Sequence, residues 1–302
     1  MSKRTTLLRY NLIIRKLRNN PVSFEELAKF LEMESDIQGY NFNISKRTFQ
    51  RDVNDIRSIF NIDIEYDYGN KVYRISEEGE PEISERISEA FDILNLLTVT
   101  QNLTEFIHLE SRQAKGTNNL YGLIHAIKNE FKISFVYKKF SDKETEVRKI
   151  CPYGLKEFRN IWYVVGYESS AKPLRTFALD RLSELDILNE KFKKPSDFNI
   201  HKLFQNNFGV ITTEKNKAEE IILSFTNIQG KYVKALTLHP SQKILIDNEK
   251  ELRICLNIVI TYDFIMELLS MGANVKVIQP EHLKQTIINA HKNALNKYLN
   301  EK

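Results

Sequence analysis

Residues 45–75 read SKRTFQRDVNDIRSIFNIDIEYDYGNKVYRI, and this stretch decides how the N-terminal part of the chain folds. Ser45 stands in a helix-capping position, and Phe49, Val53, Ile56 and Phe60 recur behind it at helical spacing, so a helix with one apolar stripe is expected. Two short alternating runs follow, Ile62–Tyr66 and Val72–Ile75, joined by Asp67-Tyr68-Gly69-Asn70, a turn sequence that predicts a hairpin. Working back towards the start, Leu7, Leu8, Leu12, Ile13, Ile14 and Leu17 mark a first helix that should stop before Asn19-Asn20-Pro21. Ser23 caps a second helix with Glu26 completing a capping box, and Leu27, Phe30 and Leu31 form its apolar face. Three helices and a hairpin predict a winged helix over residues 1–80.

Working forward, residues 84–110 predict a helix bearing Ile87, Phe91, Leu94 and Leu97, inside a linker that runs over 81–116. Residues 117–190 open with a short helix carrying Leu120, Leu123, Ile124 and Ile127. Strands Phe131–Phe140, Glu146–Pro152, Ile161–Tyr167 and Arg175–Leu188 follow, the last one broken in two. One helix and about five short strands imply a small, strongly curved antiparallel sheet or barrel. The polar stretch Lys191–Lys217, with Pro195, is expected to be a second linker over 191–216. Residues 217–302 then alternate: strand Glu219–Phe225, a helix near Lys231–Leu238, strands Lys243–Asp247 and Leu252–Ile260. A helix capped by Asp263 and ended by Gly272, strand Val275–Ile278 and a final helix after Pro280 complete the chain. The last unit predicts a ferredoxin-like α/β sandwich, and the whole chain an α+β multidomain protein.

Composition narrows the function classes. With 42% hydrophobic and 28% charged residues in 302, the chain has material for two or three cores. No apolar run approaches the ~18 residues of a membrane span, and the start lacks a secretory signal pattern, so a cytoplasmic location without a membrane partner is expected. Cys151 and Cys255 have no partner at ligand spacing and are expected to be small buried hydrophobes. His108, His125, His201, His239, His282 and His291 show no metal-binding spacing, and phosphate-loop, dinucleotide and nucleophile-elbow motifs are absent. No metal, no cofactor and no enzyme activity are expected. The net charge of +4 is small, but its distribution is uneven. Lys3, Arg4, Arg9, Arg15, Lys16 and Arg18 share residues 1–24 with no acid and are expected to face phosphate. The stretch 77–92 carries seven acids against Arg86 and would avoid it.

The order of a winged helix, then Ile161-Trp162-Tyr163-Val164-Val165-Gly166-Tyr167, then Arg175-Thr176-Phe177-Ala178-Leu179-Asp180-Arg181-Leu182, resembles the bacterial WYL-domain transcription regulators. The terminal Ser270–Pro280 stretch is similar to the C-terminal extension that follows the WYL domain in that family, so the resemblance covers nearly the whole chain. Val164 stands where the family pattern has leucine, an apolar exchange of similar role. The resemblance implies an Sm-like barrel in the middle that binds a nucleotide or single-stranded nucleic acid, altered grip on duplex DNA, and a homodimer.

Two sets of candidate site residues follow. Ser45, Lys46, Arg47, Thr48, Gln50 and Arg51 occupy the first two turns of the third helix, where a recognition helix meets base edges and phosphates of double-stranded DNA, and Tyr68 and Lys71 add the hairpin turn. The plainer alternative is a solvated face on which Arg51 or Arg57 pairs with Asp55 or Asp52. In the middle domain, period two puts Tyr163 with Ile161 and Val165, and Arg175 with Phe177 and Leu179, joined by Arg181 if that strand stays regular. Those arginines need a carboxylate such as Asp180, Glu184 or Glu168, or an anionic ligand beside stacked aromatics. On the residues alone, pocket and core roles both fit. The resemblance moves Tyr137, Tyr163, Arg175 and Arg181 towards the pocket and leaves Trp162 closer to the core. The competing classes are an enzyme processing nucleic acid or nucleotides with the barrel as its active site, which acids or histidines converging beside Arg175 would favour, and an adaptor, which an apolar patch on the last domain would favour.

Overall fold

The computed structural model describes residues 3–78, 86–87, 89–90, 93, 116–140, 145–168, 174–212 and 217–299. The helix expected over 84–110 lies outside these residues except at five positions, of which Ile87 packs onto the first core. The chain forms two compact units, Met1–Glu110 and Ser111–Lys302, and it is a mixed α+β protein with three antiparallel sheets among the described residues.

In the first unit, α1 (Lys3–Asn19), α2 (Phe24–Gln38) and α3 (Lys46–Phe60) precede a hairpin of β1 (Ile62–Asp67) and β2 (Val72–Glu78). Ser23 and Glu26 form the full capping box at α2, and Ser45 Oγ accepts the Thr48 N–H at α3, so both starts lie where the sequence put them. Asp67 Oδ1 accepts the N–H groups of Gly69 and Asn70 and tightens the hairpin turn. The hairpin is held to the helices by backbone bonds between Val22 and Tyr73 at 2.7 and 3.1 Å, and by the Tyr73 ring standing edge-on to Phe49 at 4.7 Å. Burial of Ile13, Ile14, Leu27, Leu31, Phe42, Phe49 and Ile56 closes one core.

Arg9 does not face solvent as its place in the basic N-terminal block suggested. It is fully buried and forks onto Asp52 of α3 at 2.7 and 2.9 Å. The reason is helical spacing: Arg9 lies three and four residues before Leu12 and Ile13, on the core-facing side, where a guanidinium requires a carboxylate. Next to it the Tyr10 hydroxyl donates to Asp55 at 2.5 Å, and burial together with that bond holds the phenol protonated far above the usual tyrosine range. The alternative in which Arg51 or Arg57 neutralises Asp52 or Asp55 is therefore not what the fold makes. Those acids are used by α1, and Arg57 pairs with Asp63.

The second unit begins with α4 (Leu120–Lys128) and strands β3 (Phe131–Lys138), β4 (Thr145–Phe158), β5 (Ile161–Glu168), β6 (Leu174–Ala178) and β7 (Leu182–Lys191), in the sheet order β6-β5-β4-β3-β7. Laid flat, this sheet would put its edge strands about 19 Å apart, four spacings of ~4.8 Å. Yet only the 3₁₀ turn Leu179–Arg181 joins β6 to β7, and four Cα steps span at most about 14 Å. The sheet must curl strongly. Its interior holds Ile133, Phe135, Tyr137, Ile150, Val164, Phe177, Leu179 and Leu182, with α4 closing it through Leu123 and Ala126. Alternation leaves Cys151 off that face, and Cys255 likewise alternates with Ile254 and Leu256, so both thiols are only partly buried and not the core hydrophobes expected.

The segment 192–212 is an ordered strap along β4 where a linker was expected. Tyr153 is met by Phe192 and Phe198 at 5.6 and 4.9 Å, Ile200 of α5 (Ile200–Phe204) lies against Gly154, and Phe208 meets Phe158 at 5.6 Å. Four phenylalanines in a polar stretch were the signal for this packing. Beyond it, β8 (Glu219–Thr226), α6 (Asn227–Ala235), β9 (Lys243–Asp247), β10 (Glu251–Ile258), α7 (Tyr262–Ser270), β11 (Val275–Gln279) and α8 (Glu281–Leu299) form a sheet ordered β11-β8-β10-β9. α6 starts earlier than its apolar residues implied, because Thr226 caps it. α7 is capped by Thr261, whose extended backbone and Oγ1 satisfy the Phe264 N–H, and Asp263 is left free for another task.

His239 pins the strap from this side. Its Nδ1 accepts the Ser241 N–H at 3.1 Å, and its ring also bonds the Gln205 backbone. Burial outweighs that bond and lowers its pKa from 6.5. A depressed histidine contributes stability that is present above the unfolded value and is lost as pH falls through the folded one. The parent should therefore lose more melting temperature than His239→Gln between pH 7.5 and pH 5. Parallel pH profiles of the two proteins would refute this.

Candidate functional site

On α3 the capped first turns expose Lys46, Arg47, Gln50, Arg51 and Asn54, while Thr48 is half-buried with its hydroxyl on Ser45. Lys46 pairs with Glu25 at 3.3 Å and lies over the Phe24 ring, whereas Arg47 and Arg51 make no ion pair among the described residues. Helix spacing puts Arg47, Gln50, Arg51 and Asn54 on one side, opposite Phe49, Val53 and Ile56. In the hairpin turn Tyr68 is 85% exposed against Tyr66, and Lys71, at φ 57°, is exposed as well. Arg9–Asp52 and Tyr10–Asp55 fix the back of the same helix, so this face is presented by a rigid mount. Two exposed guanidiniums, an amide and a neighbouring lysine can hydrogen-bond to phosphate oxygens and to base edges.

The second unit contains a cleft of about 310 Å³ lined by Tyr137, Lys139, Arg148, Arg175, Thr176 and Phe177, with Leu174, Ile211 and Thr212 completing it. Its charges form a chain. Glu168, only 7% exposed in its side chain, accepts from Arg148 and lies 3.3 Å from Arg175, while Glu146 takes Arg148 and Lys139. Among the described residues three cations thus meet two carboxylates. The Arg175 side chain is 46% exposed, and a guanidinium with five N–H donors retains capacity beyond one ion pair.

Of the sequence candidates, Tyr137, Arg175 and Phe177 line this cleft, and Tyr163, Trp162 and Arg181 do not. Tyr137 is largely core: its ring is buried, its hydroxyl accepts the Ala178 N–H at 3.3 Å, and burial raises its pKa against the opposing pull of Arg181. Trp162 packs against the core of the five-stranded sheet. Tyr163 is half-buried on the other face, its pKa raised by burial and then by Asp180. Arg181 falls in the 3₁₀ turn, so the period-two argument does not reach it. Its guanidinium lies between the Tyr137 and Phe140 rings at 5.2 and 4.6 Å, and 3.9 Å from Asp180. Sequence reasoning missed Arg148 and Lys139. The register would have found Arg148: Phe135 faces Arg148, and Glu168 faces Ile150, two residues away on the same strand.

Among the described residues no group of three His, Cys, Asp or Glu side chains is arranged to hold a metal, and no helix is long and apolar enough to cross a membrane.

A helix-closed, strongly bent five-stranded domain with a cationic cleft therefore sits in one chain with a unit that displays a basic helix face. Residues 118–187 match the WYL domain, so the chain carries one WYL domain. No curated protein sequence matches it. Among solved structures it is similar to the proteasome accessory factor B/C (PafBC) of Arthrobacter aurescens, at 20% identity and a TM-score of 0.35 over 94% of this chain and 46% of that one. The chain thus spans less than half the length of PafBC. A CRISPR Cas-related protein is similar at 11% identity and a TM-score of 0.40, over 85% of this chain and 75% of its own.

Proposed function

We propose that this protein is a cytoplasmic, DNA-binding transcription regulator, and not an enzyme, whose grip on duplex DNA responds to a nucleotide or single-stranded nucleic acid held in the WYL domain. The reading rests first on Arg47 and Arg51, two guanidiniums without ion pairs among the described residues, on the exposed side of a capped helix. In it, residues 1–80 act as a winged helix, supported by the hairpin tied to the chain before α2. Residues 117–190 act as an Sm-like barrel, supported by a 3₁₀ turn between the fourth and fifth strands of a curled sheet. Residues 217–302 act as a ferredoxin-like unit, supported by the order β-α-β-β-α-β with the fourth strand beside the first. A two-fold homodimer would set two α3 helices on half-sites about 34 Å apart or a multiple of that. Acids do lie beside Arg175, but Glu168 and Glu146 are tied up by arginine and lysine, which favours ligand holding over catalysis. A protein-partner role has one observation in its favour, the exposed row Ile228, Tyr232 and Leu236 on and just after α6.

Selection of bound duplexes from a random library, with and without short single strands, tests the whole reading; recovery of no enriched sequence would reject it. The cleft is tested separately. Arg175→Ala leaves Glu168 paired to Arg148, so the chain should melt close to the parent, whereas Arg148→Ala leaves the nearly buried Glu168 to the half-exposed Arg175 and should melt below it. Binding of a single strand should fall about tenfold or more in Arg175→Ala, the equivalent of one charge-assisted contact. Unchanged binding in that variant removes the cleft from the reading.

A further inference from the structure

The wall of the cleft formed by Ile211 and Thr212 belongs to neither the barrel nor a free linker. It is held by the first turn of α7. Asp263 Oδ2 accepts the Val210 N–H at 2.8 Å and the Ile211 N–H at 3.3 Å. Just before these, Gly209 stands at φ 87°, and a Cβ there would lie 2.2 Å from Asp263 Oδ2 and 2.5 Å from Asp263 Cβ, so a side chain at this position would displace the carboxylate. Upstream, Thr261 Oγ1 donates to the Phe208 carbonyl at 2.9 Å, and the Phe208 ring sits 5.5 Å from Phe264 and 5.6 Å from Phe158. The strap therefore reaches the cleft from an anchor in the C-terminal layer. Because Thr261 caps α7, the Asp263 carboxylate is available to cap the strap.

We propose that Asp263 is a positioning residue for the cationic cleft: by fixing Gly209–Thr212 it sets the wall against which a phosphate-bearing ligand closes on Arg175. The C-terminal layer then determines how tightly the WYL domain holds its ligand, and occupancy of the cleft pulls on α7 in return, since coupling between two sites is reciprocal. This rests on the reading of the cleft as a nucleic-acid effector site.

The test uses the full chain and a fluorescein-labelled, 5′-phosphorylated dT hexamer, read by anisotropy, together with hydrogen exchange at the Val210 and Ile211 amides. Asp263→Ala should bind about tenfold more weakly, as expected for loss of hydrogen bonds to a charged group, with both amides exchanging faster. Asp263→Asn keeps an oxygen acceptor and should stay near the parent in both readouts. Ile211→Ala removes the wall while leaving the carboxylate in place, so it should also bind weakly, and it covers the case in which Asp263→Ala does not fold. The salt dependence of binding should fall in Arg175→Ala and hold in Asp263→Ala and Ile211→Ala, because only the first removes a phosphate contact. Parent-like binding in Asp263→Ala or Ile211→Ala, or binding in Asp263→Asn as weak as in the alanine variant, overturns the positioning role while the cleft stands. If the parent does not bind the hexamer, the effector reading falls and this role with it.

Discussion

Replacing Lys46, Arg47 and Arg51 together with alanine should lower affinity for duplex DNA by about a hundredfold at moderate salt and remove about two to three units from the slope of log affinity against log salt. The expectation follows from where the three cations stand. Arg47 and Arg51 are exposed and make no ion pair among the described residues, so each can displace a counterion from the phosphate backbone at little internal cost. Lys46 contributes less, since it must first leave Glu25 and the Phe24 ring. The salt term does not depend on sequence, and any mixed duplex of adequate length serves in a titration between 50 and 200 mM salt. A triple variant with the parent's affinity and slope would mean that α3 is a solvated face.

Arg9→Ala or Asp52→Ala should destabilise the N-terminal unit by about 3–5 kcal/mol, because each removes one half of a fully buried, forked ion pair. For a domain of this size that lowers the melting midpoint by roughly 15 °C or more. The paired change Arg9→Met with Asp52→Leu removes both charges and fills the space, and should recover most of the loss. DNA affinity adds a second readout. In the paired variant α3 keeps its exposed side chains but loses the fork that fixes its rotation, and its binding reports how much that fork positions the basic face. Melts of the single variants within a few degrees of the parent would show that the pair is dispensable.

Helical spacing and capping residues sufficed to locate α2 and α3, because a cap and a stripe are properties of ten consecutive residues and do not depend on what they pack against. The hairpin turn was legible for the same reason. Local rules failed where two residue types could do one job. Thr261 and Asp263 both suit the start of a helix, and only the strap's open N–H groups decide which caps α7 and which caps Val210 and Ile211. Period two failed at Arg181 because three residues had to turn from one edge of a curled sheet to the other.

Sequence by itself located the helices and hairpin of the first unit, the basic face of α3, and the strands from which the cleft is built, since all of these follow from short-range periodicity and turn chemistry. Tertiary structure alone decided which charges are free. Arg9 and Asp52 are 43 positions apart and meet as a buried pair, Arg148 and Arg175 share Glu168 across neighbouring strands, and Arg47 and Arg51 stay exposed with no ion pair among the described residues. Whether a charged side chain serves the fold or a ligand depends on its distance to an opposite charge and on the water left around it. Both quantities exist only once residues far apart in the chain have been brought together.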